Sequence, residues 1–483
     1  MIFNSISFLF FLPVVFAIYW ILSRKLKWQN AFVVVASYFF YGWWDWRFLF
    51  LIAFTSACSY FSGILIERTR NDAAQDGAKQ QRKSKAITAT NIVINLMILG
   101  IFKYYNFFVE SFVALFPALN ADHLLLNIIL PVGISFYTFQ ALSYSIDVYR
   151  RKLEPTHDIV AFFAYVSFFP QLVAGPIERA TNLLPQFAKA RQFDYATAVD
   201  GCRQMLWGFF KKMVVADRCA WYVDNVWSDY ASQNGSTLLL AAICFTFQIY
   251  GDFSGYSDIA IGTAKLFGIK LKRNFNVPYF SRDIAEFWRR WHISLTTWFR
   301  DYLYIPLGGS RVSKAKVVRN TFIIFLVSGL WHGANWTFVA WGAYHALLFL
   351  PLILLGKNRR YTNNVAEDKI LPSMRELLQM LLTFFLVVFG WIIFRAENIH
   401  QAFDFFGHLI NGSMFSIPTA IPGLTLLFTL AMLIVEWLNR TQEHGLVINT
   451  IKRSWIRWII YYTLSFFIIF YSYESEAFIY FQF

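Results

Sequence analysis

His332 is an ionisable residue in the middle of a long apolar stretch. From residue 321 to residue 356 the sequence contains no Asp, Glu, Lys or Arg. An imidazole is costly in lipid, and it is also the usual general base near neutral pH, so its presence there needs a reason. In a helix, Ser328 and Asn335 would lie about one turn away and could simply satisfy a buried histidine by hydrogen bonding. The spacing alone favours neither the catalytic nor the structural interpretation.

A second histidine, His292, lies in a segment that is unusually rich in basic and aromatic residues. Ser281 is a suitable N-cap for a short helix that begins at the next residue. In that helix Glu286 and Arg290 form a structural i,i+4 pair, and Arg289 shares a face with His292. Taken alone, this pattern favours an amphipathic helix at the membrane surface, held there by its arginines. A second imidazole nevertheless shifts the interpretation of the first towards acid–base chemistry.

The composition indicates a membrane protein. The chain has 483 residues, of which 57% are hydrophobic and only 15% are charged, whereas soluble proteins carry about 25% charged residues. Several long uncharged runs predict a polytopic α-helical protein. The net charge of +14 fits the positive-inside rule, because the basic residues collect in short loops that we expect to face the cytoplasm. The charge therefore indicates contact with membrane lipid and an anionic donor, and not a nucleic-acid partner.

The hydrophobic runs predict about eleven membrane spans within a single membrane domain, together with re-entrant or interfacial helices. Residues 67–85 should form a polar loop, and residues 180–195 an interfacial loop or short helix. The run around His332 is too long for one perpendicular span, so it is either one tilted helix or two short helices broken near Gly333. The runs at membrane depth are residues 7–22, 31–41, 48–66, 87–107, 124–144, 158–173, 205–215, 238–264, 321–356, 377–394, 424–438 and 458–470.

Two carboxylates, Asp252 and Asp258, interrupt an otherwise uncharged predicted span. A carboxylate at the centre of a span costs about 2.5–3.5 kcal/mol, so each should face a cavity or a cation. We expect them to pair with Arg289, Arg290 or Lys265 and to be structural. The sequence has no His-Glu-x-x-His helix and no Cys-x-x-Cys pair, so it predicts no metal site.

Several segments together resemble the membrane-bound O-acyltransferase (MBOAT) superfamily, and within it the bacterial alginate O-acetyltransferase branch. The resemblance covers nearly the whole chain, although the part beyond about residue 357 carries fewer motif residues. The matching segments are 130–140 (LPVGISFYTFQ), 169–178 (FPQLVAGPIE), 287–295 (FWRRWHISL), 300–309 (RDYLYIPLGG) and 329–336 (GLWHGANW).

This resemblance implies an MBOAT fold with a central tunnel, a motif-rich core at about residues 124–356 and C-terminal helices at 374–483. It assigns His332 as the catalytic histidine and His292 as its companion near the tunnel. The donor would be acetyl-coenzyme A or an acyl-carrier thioester, with no bound cofactor. The acceptor would be an exported polysaccharide, or a periplasmic acyltransferase, reached from the bacterial inner membrane. Candidates for contact with the donor or substrate are Asn335, Arg289, Arg290, Trp291 and Ser328.

Three other functions remain open on the sequence. Teichoic-acid D-alanyltransferases share the motifs around His292 and His332, although the sequence 306–309 (PLGG) and the length of the chain favour the acetyl branch. A transporter or flippase of lipid-linked sugars would share the apolar content, but it should show repeats, and we find none. A non-catalytic scaffold would make both histidines dispensable.

Overall fold

The computed structural model describes residues 1–72, 76–116, 124–173, 175–472 and 478–479, and these residues form helices and no β-strand. Three π-helical segments, Gly100–Tyr104, Phe210–Ala216 and Arg300–Tyr304, interrupt or extend α-helices. In chain order the α-helices are α1 (Ile6–Ile21), α2 (Leu26–Gly42), α3 (Leu49–Asn71), α4 (Gly77–Leu99), α5 (Tyr105–Leu115), α6 (Ile134–Tyr149), α7 (Ile159–Ser167), α8 (Phe169–Leu172), α9 (Ala180–Phe187), α10 (Tyr195–Phe209), α11 (Asp217–Ser228), α12 (Gly235–Leu266), α13 (Ile284–Arg290), α14 (Ile293–Phe299), α15 (Lys314–His332), α16 (Trp336–Leu354), α17 (Met374–Arg395), α18 (Ile399–Leu409), α19 (Gly423–Leu438) and α20 (Ser454–Phe470).

Six helical segments of the described chain are long and apolar enough to cross a membrane. Helices α19 and α20 are apolar but shorter. The prediction of an all-α, multi-pass membrane protein is therefore confirmed, while the number of about eleven spans stays a prediction. The six segments are Ile6–Arg24, Trp46–Asn71, Gly77–Leu115, Gly235–Leu266, Trp336–Leu354 and Met374–Arg395.

Two predicted boundaries are wrong in the described residues. The polar stretch 67–85 is largely helical, because α3 continues to Asn71 and α4 begins at Gly77; residues 73–75 lie outside the described residues. Lys, Arg and Gln are good helix formers, so polarity alone does not end a helix. The predicted span 124–144 becomes helical only at Ile134, because Pro131 lacks an amide hydrogen and restricts the residue before it.

The apolar run around His332 consists of two helices, α15 and α16, which confirms the second of the two predicted arrangements. The helices pack with their backbones in close approach at two glycines. A Cβ atom on Gly329 would lie 2.2 Å from the carbonyl oxygen of Phe338, and one on Gly342 would lie 2.3 Å from that of Phe325. Glycine at both positions therefore permits the tight hairpin that places His332 at its turn.

The chain forms two compact units, and the first comprises Met1–Gly201 and Ala260–Lys272. Helices α3, α4 and α6 pack together in this unit around buried polar side chains. The amide nitrogen of Asn91 donates to the hydroxyl oxygens of Ser145 at 2.8 Å and Ser59 at 3.2 Å. Such bonds link helices where lipid tails supply no hydrophobic driving force.

The second unit comprises Cys202–Ile259 and Arg273–Phe483. Two buried lysines in the π-helical segment Phe210–Ala216 hold the carboxylates of α12. The Nζ of Lys211 lies 2.6 Å from a carboxylate oxygen of Asp258, and the Nζ of Lys212 lies 2.7 Å from oxygens of both Asp217 and Asp252. Each of these buried charges thus has a partner of opposite sign, as charges at membrane depth require.

The predicted partners of Asp252 and Asp258 are therefore wrong. Lys265 pairs instead with Asp200 at 2.6 Å, within the first unit. The side chains of Arg289 and Arg290 are bound elsewhere in the second unit. The sequence did contain the signal, because two lysines inside the predicted span 205–215 also need partners at membrane depth.

Candidate functional site

His292 lies between two short helices in the second unit. Helix α13 begins after Asp283, whose carboxylate accepts from the amide of Glu286 at 2.7 Å, and it ends at Arg290. His292 then adopts a left-handed backbone conformation with φ of +43°, and α14 begins at the next residue. The predicted N-cap at Ser281 is thus wrong by two residues. The expectation that Arg289 shares a helical face with His292 is also wrong, because the helix has ended before the histidine.

The imidazole of His292 is buried, with an exposed fraction of 1%. Its Nδ1 lies 3.1 Å from the side-chain oxygen of Asn274. Its Nε2 is buried and has no hydrogen-bond partner among the described residues. Burial lowers the pKa of His292 to about 3, because an apolar environment disfavours the charged ring. The imidazole is therefore neutral at physiological pH.

His332 is the last residue of α15 and is also buried, with an exposed fraction of 3%. Its ring makes perpendicular contacts with the rings of Trp341 and Phe394, with centroids 5.1 and 5.6 Å apart. The centroids of the His292 and His332 rings are 6.4 Å apart, and Trp331 contacts both rings. The tertiary structure therefore brings together two histidines that are forty residues apart in the sequence.

Asn335 does not lie one helical turn from His332. It follows the break between α15 and α16, where its side-chain oxygen caps α16 by accepting from the amide of Thr337 at 3.0 Å. Its amide nitrogen donates to the carbonyl oxygen of Glu397 at 2.7 Å. Ser328 is buried on α15, one turn before His332. Asn335 thus fixes the turn that follows the histidine.

Arg289 and Arg290 hold a neighbouring loop. Arg289 donates to the carbonyl oxygens of Asn358, at 2.8 Å, and Tyr361. Arg290 pairs with Glu286 at 2.9 Å, which confirms the predicted i,i+4 pair. Trp291 is fully buried and stacks on Phe287 with ring centroids 5.5 Å apart. The candidate arginines are therefore bound within the protein and are not displayed as an open anion site.

Three residues of this region were missed by the sequence analysis. Arg282 is a second cation on Glu286, with Nε 3.0 Å from a carboxylate oxygen. Asp283 is the N-cap of α13. Asn274, which holds His292, lies eighteen residues before it, and an asparagine in a loop carries no spacing signal. In the part of the chain that the structure describes, no three His, Cys, Asp or Glu side chains gather as metal ligands would.

The arrangement suits proton transfer. Two buried imidazoles lie with their ring centroids 6.4 Å apart among aromatic rings, so a small group that reached both would be shielded from water. A neutral imidazole can accept a proton from a hydroxyl group and release it to a leaving group. Water exclusion strengthens the hydrogen bonds that such a group makes.

Comparison with known proteins gives consistent results. Residues 150–367 match the sequence model of MBOAT, the membrane-bound O-acyltransferase family. The chain is 41% identical to the probable alginate O-acetylase of Pseudomonas aeruginosa, over 83% of this chain and 73% of that protein. It is 35% identical to the peptidoglycan O-acetyltransferase of Helicobacter pylori, over 83% of this chain and 78% of that protein. It is 30% identical to the teichoic acid D-alanyltransferase of Bacillus subtilis, over 57% of this chain and 71% of that protein.

Proposed function

Since the chain belongs to the membrane-bound O-acyltransferase family, we propose that it transfers an acetyl group to a hydroxyl of an exported polysaccharide. The donor is a cytoplasmic thioester, either acetyl-coenzyme A or an acetylated carrier, and no cofactor stays bound. The acetyl group reaches the polysaccharide directly or through a partner acyltransferase outside the membrane. The enzyme lies in the bacterial cytoplasmic membrane, where it meets donor and acceptor from opposite sides.

The reaction forms a carbon–oxygen bond and breaks a carbon–sulfur bond. One proton must move from the attacking hydroxyl oxygen to the departing thiolate sulfur, so the reaction consumes and releases no net proton. His332 accepts that proton as the hydroxyl attacks the thioester carbonyl, and it then gives the proton to the sulfur. Direct transfer in this way needs no covalent enzyme intermediate.

The observation that carries this proposal is the pair of buried imidazoles, with ring centroids 6.4 Å apart. Both lie in the region that matches the family model. Each ring is buried among aromatic side chains, so neither is a surface histidine.

D-alanyl transfer to a teichoic-acid-type polymer is the second candidate. It uses the same chemistry, and a D-alanyltransferase matches this chain at 30% identity. The two acetyltransferases match at higher identity and over a larger share of the chain. Acetyl transfer is therefore the better supported of the two.

To test the proposal, radiolabelled acetyl-coenzyme A is added to membranes that contain the protein, and a radiolabelled D-alanyl carrier is added to a parallel sample. We expect base-labile acetyl label in the polysaccharide fraction. His332→Ala should lower that transfer by about 10²–10⁴-fold, the usual contribution of a general base, while the protein stays monodisperse in detergent.

The matched control is His400→Ala, because His400 is exposed on α18. It should retain wild-type transfer. Full acetylation by a well-expressed His332→Ala protein would falsify the proposed role of this histidine. Label from the D-alanyl carrier alone would favour the second candidate, and sugar flux without any thioester would favour a transporter.

A further inference from the structure

Asn274 is fully buried, and its side-chain oxygen is the meeting point of three hydrogen bonds. The oxygen lies 3.2 Å from the amide nitrogen of Ser294, 2.8 Å from the hydroxyl oxygen of Ser294 and 3.1 Å from the Nδ1 of His292. The amide nitrogen of Asn274 points the other way and donates to the hydroxyl of Ser257 on α12 at 3.3 Å. Asn274 thus ties His292 to the start of α14 and to α12.

The contact with the backbone of Ser294 fixes which end of the Asn274 amide faces His292. A backbone N–H group can only donate, so the atom opposite it must be the oxygen of Asn274. A flipped amide would place two donors against one another. Because the oxygen can only accept, the Nδ1 of His292 must carry the hydrogen. In a neutral imidazole the other nitrogen, Nε2, then has a lone pair and no hydrogen.

The Nε2 of His292 is a buried acceptor for which the described residues supply no donor. Leaving such a group unsatisfied destabilises the protein. The ring is surrounded by Phe253, Phe275, Trp331 and His332. A hydroxyl group that entered beside His332 would supply the missing donor.

We propose that Asn274 is a positioning residue that holds His292 as the Nδ1–H tautomer, so that its Nε2 accepts a hydrogen bond from a sugar hydroxyl of the acceptor that neighbours the attacking one. This assignment rests on the proposed function, because it names the part of the substrate that His292 receives. A neutral Nε2 without hydrogen cannot donate to a developing oxyanion. His292 therefore orients the acceptor through this neighbouring hydroxyl, while the proton of the attacking hydroxyl goes to His332, and the oxyanion is not stabilised by His292.

The charged groups on the packed elements leave this tautomer undisturbed. On α12, Asp252 precedes Phe253 and Asp258 lies five residues after it, but each is paired with a lysine. On the segment that carries Asn274, the guanidinium of Arg273 donates to the carbonyl oxygen of Gln442 at 2.9 Å. The titratable ring that faces His292 from α15 is His332.

The first test reads the tautomer without any reaction. Full-length protein labelled with nitrogen-15 histidine should show a pyrrole-type Nδ1 and a pyridine-type Nε2 for His292, assigned by the signal lost in His292→Gln. In Asn274→Leu, which has a similar volume but no acceptor, that signature should be lost. A pyridine-type Nδ1 in the wild-type protein would overturn the proposal, whether or not acetyl transfer is observed.

The second test reads the reaction with radiolabelled acetyl-coenzyme A. Asn274→Leu should lower kcat/KM by about 10–100-fold, the usual effect of removing the partner that orients a functional histidine. Asn274→Asp keeps an acceptor for Nδ1 and restores the tautomer, but its charge favours the imidazolium. Asn274→Asp should therefore raise the pKa of His292, which a pH titration of its nitrogen-15 ring shifts reads directly.

The matched control is Thr297→Val. The hydroxyl of Thr297 donates to the carbonyl oxygen of Ser294 at 3.0 Å on the same helix, and this hydrogen bond involves neither Asn274 nor His292. It should leave both the tautomer and the titration of His292 unchanged. Ring shifts of His292 that titrate alike in Asn274→Asp and in the wild type would contradict the positioning role. Absence of any acetyl transfer by the wild type, with the tautomer present, would contradict the proposed function alone.

Discussion

Two groups of buried polar side chains in the second unit are satisfied in different ways. The lysines Lys211 and Lys212 and the carboxylates around them form ion pairs of 2.6–2.7 Å. The two imidazoles have aromatic neighbours instead, and His292 keeps one ring nitrogen without a partner in the described chain. Charges that satisfy one another hold helices together, whereas a neutral ring with a spare acceptor is available to a substrate.

This difference explains why the charged residues of the second unit are not the functional candidates. A carboxylate at membrane depth is a candidate functional residue because its insertion is costly. The carboxylate of Asp252, however, is already bound by the Nζ of Lys212 and by the backbone amide of Ile479, at 2.7 Å each. A neutral imidazole costs less to bury than a charge, so that of His292 can keep one ring nitrogen without a partner in the described chain. In this unit, the charged residues stabilise the packing of the helices, and the neutral imidazoles are the candidates for catalysis.

The largest effect on stability should follow removal of one charge from the ion-pair group. Lys212→Met leaves Asp217 and Asp252 buried without their cation, which costs about 3–5 kcal/mol. We expect a large fall in the temperature at which the detergent-solubilised protein aggregates. Transfer per folded molecule should change much less.

A variant that also lacks the two carboxylate charges separates the effect of unpaired buried charge from the effect of the changed side-chain volume. Adding Asp217→Asn and Asp252→Asn to Lys212→Met removes the unbalanced charges, so the triple variant should recover part of the lost stability. An unchanged aggregation temperature in Lys212→Met would show that these pairs do not stabilise the unit.

A smaller effect should follow overpacking of the hairpin that places His332. Gly342→Ala puts a methyl group 2.3 Å from the carbonyl oxygen of Phe325, so α15 and α16 must move apart. Overpacking of this kind costs about 1–3 kcal/mol. Here stability and acetyl transfer should fall together, because the displaced helix end carries His332, the proposed base.

Gly407→Ala is the control for that substitution. Gly407 lies on α18, and a Cβ there would meet no atom within 4 Å. It should leave both measurements unchanged. Wild-type transfer by Gly342→Ala would show that the hairpin tolerates the shift without moving His332.

The smallest effect should follow loss of an exposed ion pair. Asp224 lies 2.6 Å from Arg395, but its side chain is 42% exposed. Water screens such a pair, so Asp224→Asn should change the free energy of unfolding by less than about 1 kcal/mol. A loss as large as that of Lys212→Met would remove the contrast between buried and exposed pairs in this protein.

The sequence predicted the helical class and several helix boundaries because these depend on local properties. The apolar run 7–22 became α1, and the run 424–438 became α19. The prediction from sequence was wrong at the start of α13, where two nearby residues could each cap the helix. Asp283 and Ser281 are both good caps, and only the contact with Glu286 selects Asp283.

Partners at long range were not predictable in the same way. Nothing in the spacing of Asp258 and Lys211, forty-seven residues apart, indicates that they meet. The partner of His292 is an asparagine eighteen residues away, in a segment without periodicity. Side-chain pairs of this kind depend on how helices cross, and one sequence does not contain that information.

The sequence by itself determined that this chain is a helical membrane protein with two histidines in motif-rich segments, because hydrophobicity and motif residues are properties of the chain. Only the tertiary structure decided that the two rings meet, that the lysines neutralise the carboxylates of α12 and that Asn274 fixes the hydrogen on His292. Hydrogen bonds and ion pairs act over a few ångströms, so they follow the packing of the helices and not the order of the residues.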